Sequence, residues 1–222
     1  MIKIKLRNKL TIVFMVIVTI VFLCVRFSTS AELGAHVDLV LSANSSIDRN
    51  AEDTLSIQQQ QLEAESKTAF LQAYRVFMSP RCMNCHPAGD VPLQGDDSHL
   101  HSQGVKRGPD GKGLYALKCK NCHQDNNLDG DHLPPGSPTW SLPPSHHKMV
   151  FQRKSPRQLA LQFKDNRFTG FKDFAKDLVH HVETEPLVLH SWTYGTPPPL
   201  SHEEFVAKVK EWIEKGAAIP DK

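Results

Sequence analysis

A chain of 222 residues with a formal net charge of +2 has room for one domain or two small ones. Its charge is too near neutral for a protein built to grip a nucleic-acid backbone. The composition is that of an ordinary globular protein, apart from 12 histidines and 15 prolines.

The first segment stands apart from the rest. MIKIKLRNKL carries Lys3, Lys5, Arg7 and Lys9 with no acid, and a 16-residue apolar run follows from Leu10 to Val25. A basic start, an apolar core and then small residues (Ser28, Thr29, Ser30, Ala31) make an export signal. Positive charge ahead of an apolar run stays on the cytoplasmic side. The body is therefore expected outside it, in the periplasm or on the outer face of the inner membrane. The run is just shorter than the roughly 17–25 residues of a spanning helix, so residues 1–31 are a signal peptide or a membrane anchor through 10–25. Cys24 lies inside the run with no small residues before it, unlike a lipid-acceptor site. Without 1–31, which hold five cations and no acid, the body carries 21 cations against 24 carboxylates, a net charge of −3.

Residues 32–54 (…SANSSIDRNAEDT) are polar and irregular and read as a linker, leaving 55–222 as the folded domain. From about Thr54 to Met78 the pattern is helical, with Phe70, Ala73, Val76 and Phe77 on the apolar face. Pro80 ends it, and CMNCH (82–86) follows at once. Residues 87–113 are rich in Gly, Asp, Pro and His and read as loop. GLYALKCKNCH predicts a short helix carrying a second motif, CKNCH (119–123). Residues 124–148, with PPGSPTWSLPPSHH, are loop again. SPRQLALQF predicts a helix with Ser155 as N-cap, Pro156 at the first position and Gln158 completing a capping box. FKDFAKDLVHHV predicts another, with Phe171, Phe174, Ala175 and Leu178 on one face. LVLHSW (187–192) is the single strand candidate. SHEEFVAKVKEWIEKGA closes the chain as a helix, capped by Ser201 and Glu204, striped by Phe205, Val209, Trp212 and Ile213, and ended by Gly216.

The repeated C-x-x-C-H is the attachment signature of a c-type haem. Each thiol adds across one vinyl group of the porphyrin, and two intervening residues let one turn of chain reach both vinyls. The next residue, histidine, is then the proximal iron ligand. Cys82 and Cys85 would hold one haem with His86 on its iron, and Cys119 and Cys122 a second with His123. Three other uses of paired cysteines fit less well. Zinc frameworks space their pairs by roughly 12–20 residues, whereas Cys85 and Cys119 are 34 apart. Disulfides, the usual state of exported cysteines, leave both histidines unexplained. A redox dithiol expects a βαβ setting.

With these motifs the chain resembles the cytochrome c class, as a small exported dihaem member. The motif likeness covers 82–86 and 119–123. The resemblance implies a mainly α fold of cytochrome c-like helices and long loops wrapped around two covalently bound haems. It also implies an N-terminal helix (54–78) crossed by a C-terminal one (201–216), with Phe70, Tyr74, Val209 and Trp212 in contact. PPGSPTWSLPP…MVF…SP further resembles small exported cytochromes grouped with isoquinoline oxidoreductases. Outside the motifs only Cys24 remains, too few to hold an iron–sulfur cluster for such an enzyme. Two motifs only 37 residues apart imply one unit sharing two haems rather than tandem domains.

The sixth iron ligands decide between uses. Methionine raises the potential, a second histidine lowers it, and an open position admits substrate. Met149, after the Pro-rich loop, is the candidate for one iron, and His101 or His181 for the other. His36, His132 and His202 read as surface residues. Lys106 and Arg107 are candidate partners of haem propionates, and Trp140, Trp192 and Tyr194 are candidates to pack on haem edges or in the core. The expected function is electron transfer between redox proteins such as a membrane dehydrogenase or respiratory complex, with no catalytic residue and no nucleic-acid partner. The alternative is a dihaem peroxidase-like enzyme or haem sensor with one open iron.

Overall fold

The structure, a computed structural model, describes residues 52–130 and 133–222. The segment expected to direct export, with Cys24, most of the expected linker, His36 and His132 lie outside the described residues. Backbone proximity divides the chain into two compact units, Met1–Gln59 and Gln60–Lys222. Of the first, residues 52–59 are described. They are helical and expose Leu55 and Ile57. The linker expected over 32–54 has therefore already become helix by residue 52.

The described residues are mainly helical. Helix α1 covers 52–77. It is followed by α2 (Pro80–Met83), α3 (Pro156–Phe163), α4 (Asn166–Thr169), α5 (Phe174–Thr184), α6 (Pro186–His190) and α7 (His202–Glu214). Two small antiparallel hairpins lie between α2 and α3. One pairs β1 (Leu93–Gln94) with β2 (His99–Leu100), and the other pairs β3 (Gly113–Leu114) with β4 (Leu117–Lys118). Short 3-10 turns form at Cys119–Asn121 and Ser145–His147. Among the described residues no helix is long and apolar enough to cross a membrane.

Four helices supply the core of the second unit. In α1, Ala69, Phe70, Ala73, Val76 and Phe77 recur at three- and four-residue spacing and are buried. They meet Leu159, Ala160 and Phe163 of α3, Leu178 and Val182 of α5, and Phe205, Val206, Val209 and Trp212 of α7. Each large side chain buried this way contributes on the order of 1.5–3 kcal/mol as an upper estimate. The Phe70 and Trp212 rings lie 4.6 Å apart, and the Ser66 hydroxyl donates to the Trp212 carbonyl at 2.8 Å. The contact expected between the N-terminal and C-terminal helices is thus present. Phe77 sits among Phe163, Phe205 and Phe151 at centroid distances of 4.8, 5.1 and 5.4 Å. Phe151 carries this packing outward to the first cysteine motif.

Both predicted capping boxes form. Ser155 and Gln158 close α3, with Pro156 at its first turn, and Ser201 and Glu204 close α7. Two expectations are corrected. Residues 113–118 form a hairpin rather than a helix, and the second motif follows on a 3-10 turn. Gly113 has φ +94°, and a Cβ there would meet the Leu117 carbonyl oxygen at 2.3 Å. That backbone bends back on itself where a helix would continue. Residues 187–192 form no strand: Glu185 caps and Pro186 opens α6, since proline fixes φ at a helical value and needs no donor at a first turn.

Candidate haem-binding centre

The first motif winds as one turn. Ser79 N-caps α2 and Pro80 starts it, and the turn continues through Cys85 N–H to Cys82 carbonyl at 3.3 Å and His86 N–H to Met83 carbonyl at 3.0 Å. The second motif closes a similar turn. Cys122 and His123 N–H both donate to the Cys119 carbonyl, at 3.2 and 2.9 Å. All four thiols are free. Among the described residues no three or more His, Cys, Asp or Glu side chains converge as a metal-ion site, so the cysteines do not assemble into one tetrahedral cluster.

Each motif histidine is held by a two-point clamp. The His86 Nδ1 donates to the Met149 carbonyl at 3.1 Å. Two residues further on, Phe151 N–H donates to the His86 carbonyl at 2.9 Å. In the second motif the His123 Nδ1 donates to the Pro135 carbonyl at 2.7 Å. Again two residues on, Ser137 N–H donates to the adjacent Gln124 carbonyl at 2.9 Å. A carbonyl can only accept, so Nδ1 carries the proton in both rings. The lone pair is left on Nε2, the tautomer that a metal takes when an outer partner orients its histidine.

The faces of the two rings are also treated alike. His86 stacks on Phe151 with centroids 3.9 Å apart and planes 6° apart. His123 stacks on Trp140 at 4.0 Å and 8°. Each imidazole is thereby fixed in both position and rotation. Gly136 makes the second clamp feasible, because a Cβ on it would meet the Asn126 carbonyl oxygen at 2.0 Å.

Cys82, Cys85 and His86 keep some accessible surface, but their surroundings are dense. Burial pushes the Cys82 thiol up to about 12 and the Cys85 thiol up to about 11. It drives the His86 imidazole down to about 3, against a smaller upward pull from its bond to Met149. Burial likewise raises the Cys119 thiol and lowers His123. Charging any of these groups would mean desolvating an ion. The folded chain therefore presents neutral thiols and neutral imidazoles.

The two motifs are neighbours in space. Cys85 and Cys119 lie close enough for a charge on one to raise the other's pKa. Tyr194 lies near Cys82 and Cys85, and its ring is 6.0 Å from Trp140, which itself stacks on His123. Arg81 is buried against this junction, 4.8 Å above the Tyr194 ring, and pairs with Asp96.

The other sequence candidates separate clearly. Met149 is buried, and its side chain belongs to the apolar core. Its carbonyl serves the Nδ1 edge of His86, so its backbone lies behind that ring rather than beyond Nε2. His181, half-buried on α5, is close enough for its charge to be felt at His86. His101, half-buried just after β2, lies beside His123. Arg107 is almost completely buried and bonds through its guanidinium to Asp90 and to the Pro143 and Gly89 carbonyls, so its charge is already paired within the protein. Lys106 is exposed. Trp192 packs against the core and donates to the Leu200 carbonyl at 2.9 Å. His202 is not a surface residue: it bonds the Val182 carbonyl at 2.8 Å and packs on the edge of Trp192.

Phe151, Pro135, Gly136 and Arg81 shape the centre without having been singled out in the sequence. A roles-by-motif reading finds side chains, and two of these four contribute backbone instead. Comparison with protein-family models, curated proteins and solved structures found no match.

Proposed function

We propose that this chain is a dihaem c-type cytochrome that transfers electrons in an exported compartment. The observation that carries the reading is the duplicated clamp. Both CxxCH turns end in a histidine whose Nδ1 is tied to a carbonyl and whose ring is stacked on an aromatic side chain. A disulfide or a thiol redox centre has no use for an imidazole oriented in this way, and a four-cysteine zinc site has none either.

The donor set fits the group. Cys82 and Cys85, and likewise Cys119 and Cys122, lie three apart on a single turn, the spacing that reaches two vinyls. His86 and His123 present neutral Nε2 lone pairs. Bound haem supplies a ferric–ferrous couple. The protein supplies the rest. Met149 and Pro135 carbonyls hold the imidazoles against rotation and increase their basicity. Phe151 and Trp140 exclude water from one face of each ring. The dense surroundings of the first motif provide the low-dielectric setting that tunes a potential. The proximity of the motifs suits exchange between the two centres, and Trp140 and Tyr194 fill the space between them.

At the first motif His181, near enough to His86 for its charge to be felt there, would be the candidate second ligand, since the Met149 carbonyl accepts from His86 Nδ1 and its side chain lies in the core. Partners would be redox proteins, including a membrane dehydrogenase or respiratory complex, met at the outer face of the inner membrane.

The test is a count of haem after co-expression with a c-type maturation system. The full chain is expected to hold two covalent haems by pyridine haemochrome. Cys82→Ser with Cys85→Ser should hold one, and so should Cys119→Ser with Cys122→Ser. Unchanged haem content in either double variant would overturn the reading.

A further inference from the structure

We infer that His101 and His123 are opposite axial ligands of one iron, which makes the second centre a closed bis-histidine site. This rests on the haem reading above and adds to it the ligand, and hence the use, of that site.

The first observation is a distance. The His101 and His123 rings lie 6.4 Å apart, centroid to centroid, with planes at 59°. Two imidazoles on opposite sides of one metal ion are separated by two metal–nitrogen bonds of about 2.0–2.1 Å each plus about 1.1 Å from each nitrogen to its ring centre. The sum is about 6.3 Å. The two rings are not stacked on each other, as His123 is on Trp140 at 4.0 Å. The His101–His123 centroid separation matches that span.

The second observation is an orphan. The His101 Nδ1 is buried and has no hydrogen-bond partner. A buried imidazole nitrogen without a partner has lost its water and gained nothing in return. That arrangement makes sense at a ligand site, where the ring is placed for a group other than protein.

The third observation is that the loop holds His101 in place. Its N–H donates to the Pro92 carbonyl at 2.9 Å and its carbonyl accepts from Gly104 at 3.3 Å. The adjoining β1–β2 hairpin fixes its register. His99, two residues earlier, is used differently: it is exposed and bonded to Asp97 and Gln94. One histidine of the pair is a surface group with ordinary partners, and the other faces the motif with none.

A bis-histidine site has no open coordination position. It therefore favours electron transfer over peroxide chemistry or gas sensing at this iron, and it sets a lower potential than a histidine–methionine pair.

The experiment compares the full chain with His101→Ala, His101→Met and His99→Ala, all matured with haem. Haem per chain is counted first, and then ferric spin state and ferrous carbon monoxide binding are read by optical and paramagnetic resonance spectra. Two haems in wild type, both low-spin and unreactive to carbon monoxide, are expected. His101→Ala should keep two haems, with one turned high-spin and binding carbon monoxide, and added imidazole should restore the low-spin state. His101→Met should show a histidine–methionine signature at one iron and a higher potential. His99→Ala should match wild type. Two low-spin irons in His101→Ala would overturn the ligand assignment and leave the haem reading intact. A wild-type chain without covalent haem would overturn both.

Discussion

Gly136 has no room for a side chain, and the clamp on His123 depends on it. With the Asn126 carbonyl oxygen 2.0 Å from where a Cβ would stand, Gly136→Ala must push the 135–137 loop away from the second motif. A cost of about 1–3 kcal/mol is expected, the range for forced overpacking. The Pro135 bond to His123 should loosen with it. The expected result is a lower melting temperature and a perturbed axial signal from one haem, the other remaining as in wild type. Phe151 has the matching role at the first motif, where it joins the core to the face of His86. Phe151→Ala should cost about 3–5 kcal/mol, as for other buried aromatics. It should also broaden the spectrum of the first haem, a change that core loss elsewhere, such as Val209→Ala, would not produce. Equal spectral effects from both variants would count against a direct role for the ring.

At the scale of elements, helix ends were legible in the sequence because their chemistry is local. Ser155 with Gln158 and Ser201 with Glu204 are complete within four residues, and both boxes form as read. Ser155→Ala and Ser201→Ala should each cost about 1 kcal/mol, or roughly 2–4 °C in melting temperature for a chain of this size. The two effects should add, because the caps share no partner. Thermal denaturation of the single and double variants checks this. The two misread segments failed for the opposite reason. Residues 113–118 carry a helix-like run of Leu, Tyr, Ala and Leu. What decides their shape is the close approach of Gly113 to the Leu117 backbone, together with Tyr115 at φ +54°. LVLHSW has strand-forming residues, but Pro186 and the packing of α6 against α5 override them.

At the scale of the whole molecule, acid should weaken the fold. Asp90 is held below the ordinary carboxylate range chiefly by its bond with Lys148. Asp96 is held there by Thr196, Asp165 by Arg167, and Glu211 by Lys208. A carboxylate with a depressed folded pKa stabilises the fold above its unfolded value, near pH 4. That stability is lost as pH falls through the folded value. The buried imidazoles of His86 and His123, held below their ordinary value by desolvation, add to this, because below about pH 6.5 they charge in the unfolded chain alone. Denaturant midpoints should therefore begin to fall at about pH 6.5 and fall more steeply below about 4. Added salt should flatten the steeper fall, since the carboxylates are solvent-exposed.

The centre itself was half legible. The two CxxCH turns and their six donors are written in the sequence. The carbonyls of Met149 and Pro135, the stacking of Phe151 and Trp140, and the seating of His101 beside His123 are not. Each depends on a loop that returns from a dozen or more residues away, from 12 for Pro135 to 63 for Met149, and no local pattern records the register of that return. Met149 is a ligand candidate in the sequence because it follows a proline-rich loop; in the fold its carbonyl accepts from His86 Nδ1 and its side chain joins the core.

The most direct test of the account is the intact mass of the matured chain under denaturing conditions, with its metal content measured in parallel. A mass increased by two haems that survives denaturant, with two irons per chain, is the predicted result. A chain at its unmodified mass, or one carrying zinc in place of iron, would contradict it.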